Sequence, residues 1–396
     1  MDHTAYLEAL RDTAAGTEQS FDADEFQARR RRVASTMLEA GIEALLVTNP
    51  GEINYLTGYR TFEVSVHAAL VFRPAHCLLQ VPSIETGPAA ATALVDEIAG
   101  YRWESVQSVI APLVDQLRDC QSIGVNQWGN GLRPGLLEAL RAQLPQATFS
   151  DSSAVLDPVR RVKTAAELER LHDSARMTMA GLDAAMAVAE PGTTENTIAA
   201  EGARAMLAAG SEFMSLQPIV VSGPRSSVIH LNHQNRVVTR DDAVFLEFGA
   251  ARHRYTAPQM RTVIAGQASD RMKRLNDVCH QLHETLTTEM RPGQRFTDAA
   301  SAAHRVLAHA GVADEVFFSG VFGYTVGAQF PPSWVEGTGF IAEGEEAPFE
   351  PGMVFHLPLC LRVPGAFGIG MSNTVVVGEQ GATPITHNDW QLRELA

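Results

Sequence analysis

The segment His230–Thr262, HLNHQNRVVTRDDAVFLEFGAARHRYTAPQMRT, places an acid inside an apolar run. Ala243, Val244, Phe245 and Leu246 lead into Glu247, and Phe248 and Gly249 follow. The run reads as a strand, and a carboxylate within it is costly to bury unless it is hydrogen-bonded or functional. Alternation puts Phe245 and Glu247 on one face, opposite Leu246 and Phe248. Glu247 is therefore either a working carboxylate or an edge-strand residue facing water. His230 and His233 open the segment. A neutral imidazole donates or accepts a proton near pH 7, so His230 is a candidate for acid/base work, with a strand-end role as the alternative.

Downstream of this segment, Pro292-Gly293 precedes an Ala-rich helical stretch that ends at Ala310-Gly311. Upstream, Pro191-Gly192 and Ala209-Gly210 bracket a similar stretch with the same spacing. A long amphipathic helix precedes each, and strand-rich sequence follows. A duplicated helix-helix-sheet half is expected, with a site where the two sheets meet. Asp157-Pro158 reads as a turn, and Thr164 with Glu167 reads as a capping box opening the next helix. The boundary falls between residues 1–160 and 161–396. Within the first part, Ala44–Val47, Val66–Phe72, Cys77–Val81 and Ile123–Val125 read as strands. Helices are expected around 88–99 and 110–119, giving a small, mostly parallel α/β sheet.

Composition excludes several classes. The chain has 396 residues, 45% hydrophobic and 19% charged, which suits two globular domains. A formal net charge of -15 disfavours nucleic acid. The basic run Arg29–Arg32 reads as a solvated helix face. Cys77, Cys120, Cys279 and Cys360 are scattered, as in reduced cytoplasmic proteins. The N-terminus is polar, without a signal-peptide core, and no apolar run approaches a membrane span. A cytoplasmic protein that avoids membranes is expected.

The decisive segment resembles the catalytic strand-turn-strand of the creatinase/aminopeptidase P superfamily, the pita-bread fold. The resemblance puts His230 and Glu247 at the family's His and first-carboxylate places and favours His230 over His233. It implies an N-terminal creatinase-like α/β domain and a C-terminal pita-bread domain of two pseudo-repeated helix-sheet halves. The family's metal ligands are largely replaced. Pro258 stands at the second Asp, Tyr324 in GYTVGAQFPPSW at the metal-binding His, and Pro358 in GMVFHLPL at a carboxylate. Ser372 and Asn373 in MSNTVVV replace two acids. One carboxylate does not hold a divalent cation, so no metal and no other cofactor is expected.

RYTAP, GYTVG and GMVFH are similar to the metal-free branch that contains ectoine hydrolases, as is NYLTGYRTFEVSVH at Asn54–His67. Ser333, Val335, Gly370, Asn373 and Pro358-Leu359-Cys360-Leu361 depart from that branch at positions that would shape a pocket. The resemblance implies a homodimer in which Tyr59, Phe62 and His67 either contact the neighbour's substrate or pack internally. Tyr255, Arg261, Tyr324, Trp334, Glu336 and His356 are the remaining candidates for substrate contacts. Tyr255 and Tyr324 would donate hydrogen bonds, and Arg261 would pair a carboxylate. His356 has a backbone-bonded alternative. The implied activity is metal-independent hydrolysis of a C–N bond in a small amidine or guanidine zwitterion, ectoine or 5-hydroxyectoine by resemblance. Glu247 would act as nucleophile or base and His230 as proton shuttle. The alternatives are a creatinase-like amidinohydrolase on another guanidino substrate and a non-catalytic small-molecule-binding homologue. An Xaa-Pro metallopeptidase fits least.

Overall fold

Ala44-Leu45-Leu46-Val47 is buried at every position, and its alternate side chains enter two different cores. Leu45 and Val47 pack with Val33, Met37 and Leu56, whereas Ala44 and Leu46 pack with Leu113, Leu117 and Leu140. A strand covered on both faces reads as a continuous apolar run, which explains the local sequence. The computed structural model describes residues 3–129 and 131–395. They form two compact units, divided after Arg160.

In the first unit the strands are β1 (Ala44–Val47), β2 (Ala69–Arg73), β3 (His76–Pro82), β4 (Glu97–Tyr101), β5 (Ser122–Val125) and β6 (Thr148–Asp151). They form one mixed sheet in the order β4-β3-β2-β1-β5-β6. The helix expected over 88–99 is shorter, Thr86–Thr92. The Asp96 carboxylate accepts the Cys77 N–H at 2.7 Å, and the residues after it join the sheet edge as β4. Pro158 lies inside the helix Ser153–Arg161 and not in a turn.

The basic run also needs correction: only Arg31 is exposed, while the part-buried Arg30 donates to the Leu56 carbonyl at 2.9 Å and Arg32 to the Tyr55 hydroxyl at 3.2 Å. Arg29 is fully buried, its guanidinium 4.1 Å from the Phe21 ring centre and 4.7 Å from that of Tyr55. Cation–π contact, an ion pair with Glu25 and a hydrogen bond to the Tyr55 carbonyl at 3.2 Å hold it where a solvated face was expected.

The second unit contains the repeat. Helices Ala165–Ala187 and Glu195–Ala208 form the first pair, and Asp270–Glu289 and Phe296–Ala310 form the second. Gly192 and Gly293 take positive φ in the two connecting turns, which is why the Pro-Gly signal recurs. The capping box of Thr164 and Glu167 is formed.

The strands of this unit begin with β7 (Ile219–Ser222), β8 (Asp242–Phe248), β9 (Ala251–Arg252), β10 (Tyr255–Thr256) and β11 (Gln259–Ala265). They continue with β12 (Gly323–Val326), β13 (Val335–Ile341), β14 (Val354–His356), β15 (Leu359–Val363) and β16 (Phe367–Met371). The last are β17 (Thr374–Gly378), β18 (Gly381–Pro384) and β19 (Arg393–Glu394). One sheet runs β19-β11-β8-β7 and the other β13-β12-β14-β17-β18, with β15 and β16 forming a separate hairpin. The first helix pair covers one face of β8 through Leu246 and Phe248, and β16 packs near β8 and β11. All four cysteines are buried and unpaired. Among the described residues no helix is long and apolar enough to cross a membrane.

Candidate active site

Glu247 occupies an interior strand, with Met260 of β11 and Ile219 of β7 as its register partners. The edge-strand reading is therefore overturned. The acid lies on the face that carries Phe245, Met260 and Cys360, and it is 7% exposed. It forms no hydrogen bond or ion pair with the described residues. Burial pushes its pKa up to about 7, and the Arg362 guanidinium only partly opposes this. A carboxyl poised there exchanges protons at neutral pH.

A polar chain lies close to it. Met260 N–H donates to Ser372 Oγ at 2.6 Å, and that hydroxyl meets His356 Nε2 at 2.7 Å. His356 Nδ1 meets the Tyr324 hydroxyl at 2.8 Å, and Trp334 Nε1–H donates to the same hydroxyl at 2.9 Å. Burial drives the His356 pKa down to about 3, so the imidazole is neutral. Burial also raises the Tyr324 phenol well above its ordinary value, and the Glu247 charge adds to the effect. Tyr324 is thus the link between the chain and the acid. Gly249 matters here because a Cβ would sit 2.9 Å from the Trp334 ring.

Neutral imidazole permits two arrangements of this chain. In one, Tyr324 donates to Nδ1 while Nε2–H donates to Ser372. In the other, Ser372 donates to Nε2 and Nδ1–H donates to Tyr324, whose own proton is then released toward the neighbourhood of Glu247. The backbone-bonded alternative for His356 is replaced by this side-chain chain.

The other expected residues divide. Arg261 is a register partner of Leu246, so strand alternation sends it to the opposite face from Glu247. It cannot pair a carboxylate held at Glu247. Tyr255 is fully buried and donates to Glu167 Oε1 at 2.9 Å, which commits it to the helix cap. Glu336 is buried against Lys163 Nζ at 2.6 Å, so its charge is already compensated. His230 is exposed with φ 57, and no hydrogen bond or ion pair joins it to Glu247, Tyr324 or His356. In the first unit, Tyr59 packs in the core with its hydroxyl 3.4 Å from Glu85, and Phe62 is 77% exposed. His67 is buried with neither ring nitrogen hydrogen-bonded, and burial lowers its pKa to about 4.

Sequence reading missed Arg362 and the bonding role of Ser372. Arg362 acts electrostatically on both Glu247 and Cys360, and its Nε is buried without a partner. The period-2 pattern Leu359-Cys360-Leu361-Arg362-Val363 was the available signal, since it sets Cys360 and Arg362 on one face.

Residues 169–379 match the model of metallopeptidase family M24, and residues 29–162 match that of the creatinase/prolidase N-terminal domain. The chain belongs to metallopeptidase family M24. As an M24 chain it is 24% identical to an Xaa-Pro dipeptidase of Lactobacillus delbrueckii subsp. lactis, covering 92% of this chain and 98% of the relative. It is 23% identical to the ectoine hydrolase of Halomonas elongata, covering 94% and 98%. The X-Pro aminopeptidase structure from Thermotoga maritima superposes with a TM-score of 0.80 at 22% identity, covering 92% and 99%. The fold is thus a creatinase-like N-terminal domain followed by an M24 pita-bread domain.

The M24 name implies a metal, and the donor set of this member does not fit one. Among the described residues no group of three or more His, Cys, Asp or Glu side chains is placed to hold an ion. The Tyr324 and Ser372 hydroxyls, at two of the ligand places implied by resemblance, are both committed to His356. Pro258 contributes only its carbonyl, which accepts from Thr374 Oγ at 2.7 Å.

Proposed function

We propose that this M24 chain is a metal-independent hydrolase that cleaves a C–N bond of a small amidine or guanidine zwitterion. Ectoine and 5-hydroxyectoine are the leading substrates. The carrying observation is an unpaired buried carboxylate with a pKa near 7 in the field of a guanidinium whose Nε is also unpaired. Glu247 and Arg362 suit the amidinium and carboxylate ends of such a molecule.

In this reading Glu247 removes a proton from water as the water oxygen bonds to the amidine carbon. The tetrahedral adduct then loses its C–N bond, and the departing nitrogen takes a proton. Water is thereby divided between an amide and an amine. Tyr324, backed by neutral His356, supplies the proton path that the sequence assigned to His230. A homodimer, with Phe62 offered from the first unit, belongs to the same proposal.

The name of the Lactobacillus relative favours a second reading, Xaa-Pro peptidase activity. That reading requires a metal centre from a donor set that lacks one. A binding protein without turnover is the third. Incubating the purified protein with ectoines, creatine, other guanidino acids and Xaa-Pro dipeptides, followed by mass spectrometry, separates the three. The proposal expects ring-opened or deamidinated product from the first groups and none from the dipeptides. Dipeptide cleavage alone, or no product at all, overturns it.

A further inference from the structure

Arg261 leaves the Glu247 face and enters a cavity of about 200 Å³ on the other side of β11. The helix Ala165–Ala187 supplies Leu182 and Asp183 to this cavity, and the C-terminal segment supplies Asp389 and Arg393. Gln259, fully buried, completes the interior. Two polar atoms here are buried without partners: Nη1 of Arg261 and Oε1 of Gln259. The other Arg261 terminal nitrogen donates to the His387 carbonyl, which fixes the guanidinium in place. Burial lowers the Arg261 pKa to about 10, so it remains charged at neutral pH.

An unsatisfied donor and an unsatisfied acceptor on residues lining one cavity are an unfavourable arrangement for an empty interior. Exposed Asp183 and Asp389 stand at the mouth and both act electrostatically on Arg261, and Asp389 is also paired with Arg393 at 3.5 Å. At about 30 Å³ for each water in the liquid, the cavity holds about six or seven non-hydrogen atoms.

We infer that this cavity is a second binding site, for a small amino-acid-like zwitterion. Its carboxylate accepts from Arg261 Nη1, and its ammonium donates to Gln259 Oε1 and faces the two acids. The site is separate from the chemistry at Glu247 and does not depend on it. A physical link between them exists, because Gln259 Nε2 donates to the Ser372 carbonyl at 3.4 Å. Ser372 is the terminal side chain of the His356 relay. Occupancy therefore bears on the short link between β16 and β17 that carries Ser372, which suits an effector.

Calorimetric titration of the full chain with L-alanine, propionate and ethylamine tests the site. Alanine is expected to bind more tightly than propionate, and ethylamine to show no measurable heat. Arg261→Gln should weaken alanine about tenfold or more, as loss of a charged hydrogen bond does. The double substitution of Asp183→Asn and Asp389→Asn, both at exposed positions, should erase the preference for alanine over propionate, with propionate binding no more weakly because both acids act on Arg261. Glu247→Gln should bind alanine as the wild type does. No alanine binding at any soluble concentration overturns the proposal. So does binding that survives both sets of cavity substitutions, or that is lost in Glu247→Gln. A thermal melt confirms that each variant is folded. If Arg261→Gln does not fold, the exposed Asp pair decides the matter.

Discussion

The Tyr324 hydroxyl and His356 Nδ1 lie 2.8 Å apart, between residues that are also register partners on neighbouring antiparallel strands. This pairing fixes the phenol near Glu247 while Trp334, in the loop that leads into β13, holds it from another side. Two side chains, His356 and Trp334, thus position one hydroxyl. The arrangement is stiff because every polar atom of the imidazole is engaged.

Removing that hydroxyl should be costly. Tyr324→Phe leaves Trp334 Nε1 and His356 Nδ1 buried without their shared partner. A loss of about 2–4 kcal/mol is expected from two unsatisfied groups. Urea unfolding measures it, and a change within a few tenths would show that the chain is loosely held.

Glu247 gives stability a pH dependence whose sign follows from its raised pKa. Between the ordinary 4.5 and about 7, the folded protein keeps a proton that the unfolded chain has released. The resulting stabilisation is full below pH 4.5 and is lost as pH rises through 7, with a ceiling of about 3 kcal/mol. Glu247→Gln should lack this decline and melt higher than wild type at pH 9, with the gap closing at pH 5. Parallel melting curves across that range would contradict the assignment.

Catalysis should respond in the opposite sense. The general base is the ionised carboxylate, so turnover should rise through pH 7 as Glu247 deprotonates. His356, with its pKa near 3, should add no limb between pH 5 and 9. A rate profile flat across neutrality would remove Glu247 from the base role.

The Lys163–Glu336 pair should prove structural. Replacing Lys163 by Met leaves the Glu336 carboxylate without its 2.6 Å partner in a buried setting. About 3 kcal/mol of destabilisation is expected, with KM unchanged in the fraction that remains folded. A selective change in KM at unchanged stability would return Glu336 to the substrate.

Local signals carried much of this fold in the sequence. The Pro-Gly turns and the Thr164–Glu167 cap are short-range features, and their geometry is set within a few residues. Glu247 was legible because an acid in Ala243–Leu246 surroundings is anomalous wherever it sits. The failures are non-local. Arg261 was misplaced because its face depends on the Met260–Glu247 register, which no single strand encodes. Arg29 looked solvated because part of its aromatic surround, Tyr55, comes from another helix. The Tyr324–His356–Ser372 chain joins residues from separate segments, each ordinary by itself.

The most direct test of the central claim is turnover of an ectoine or guanidino substrate by protein stripped with EDTA and assayed in metal-free buffer. Metal-independent chemistry at Glu247 predicts the same rate before and after stripping. It also predicts no gain on adding manganese, cobalt or zinc, and a loss of about 10²-fold or more in Glu247→Gln. Activity that vanishes with EDTA and returns with one equivalent of metal would contradict the account.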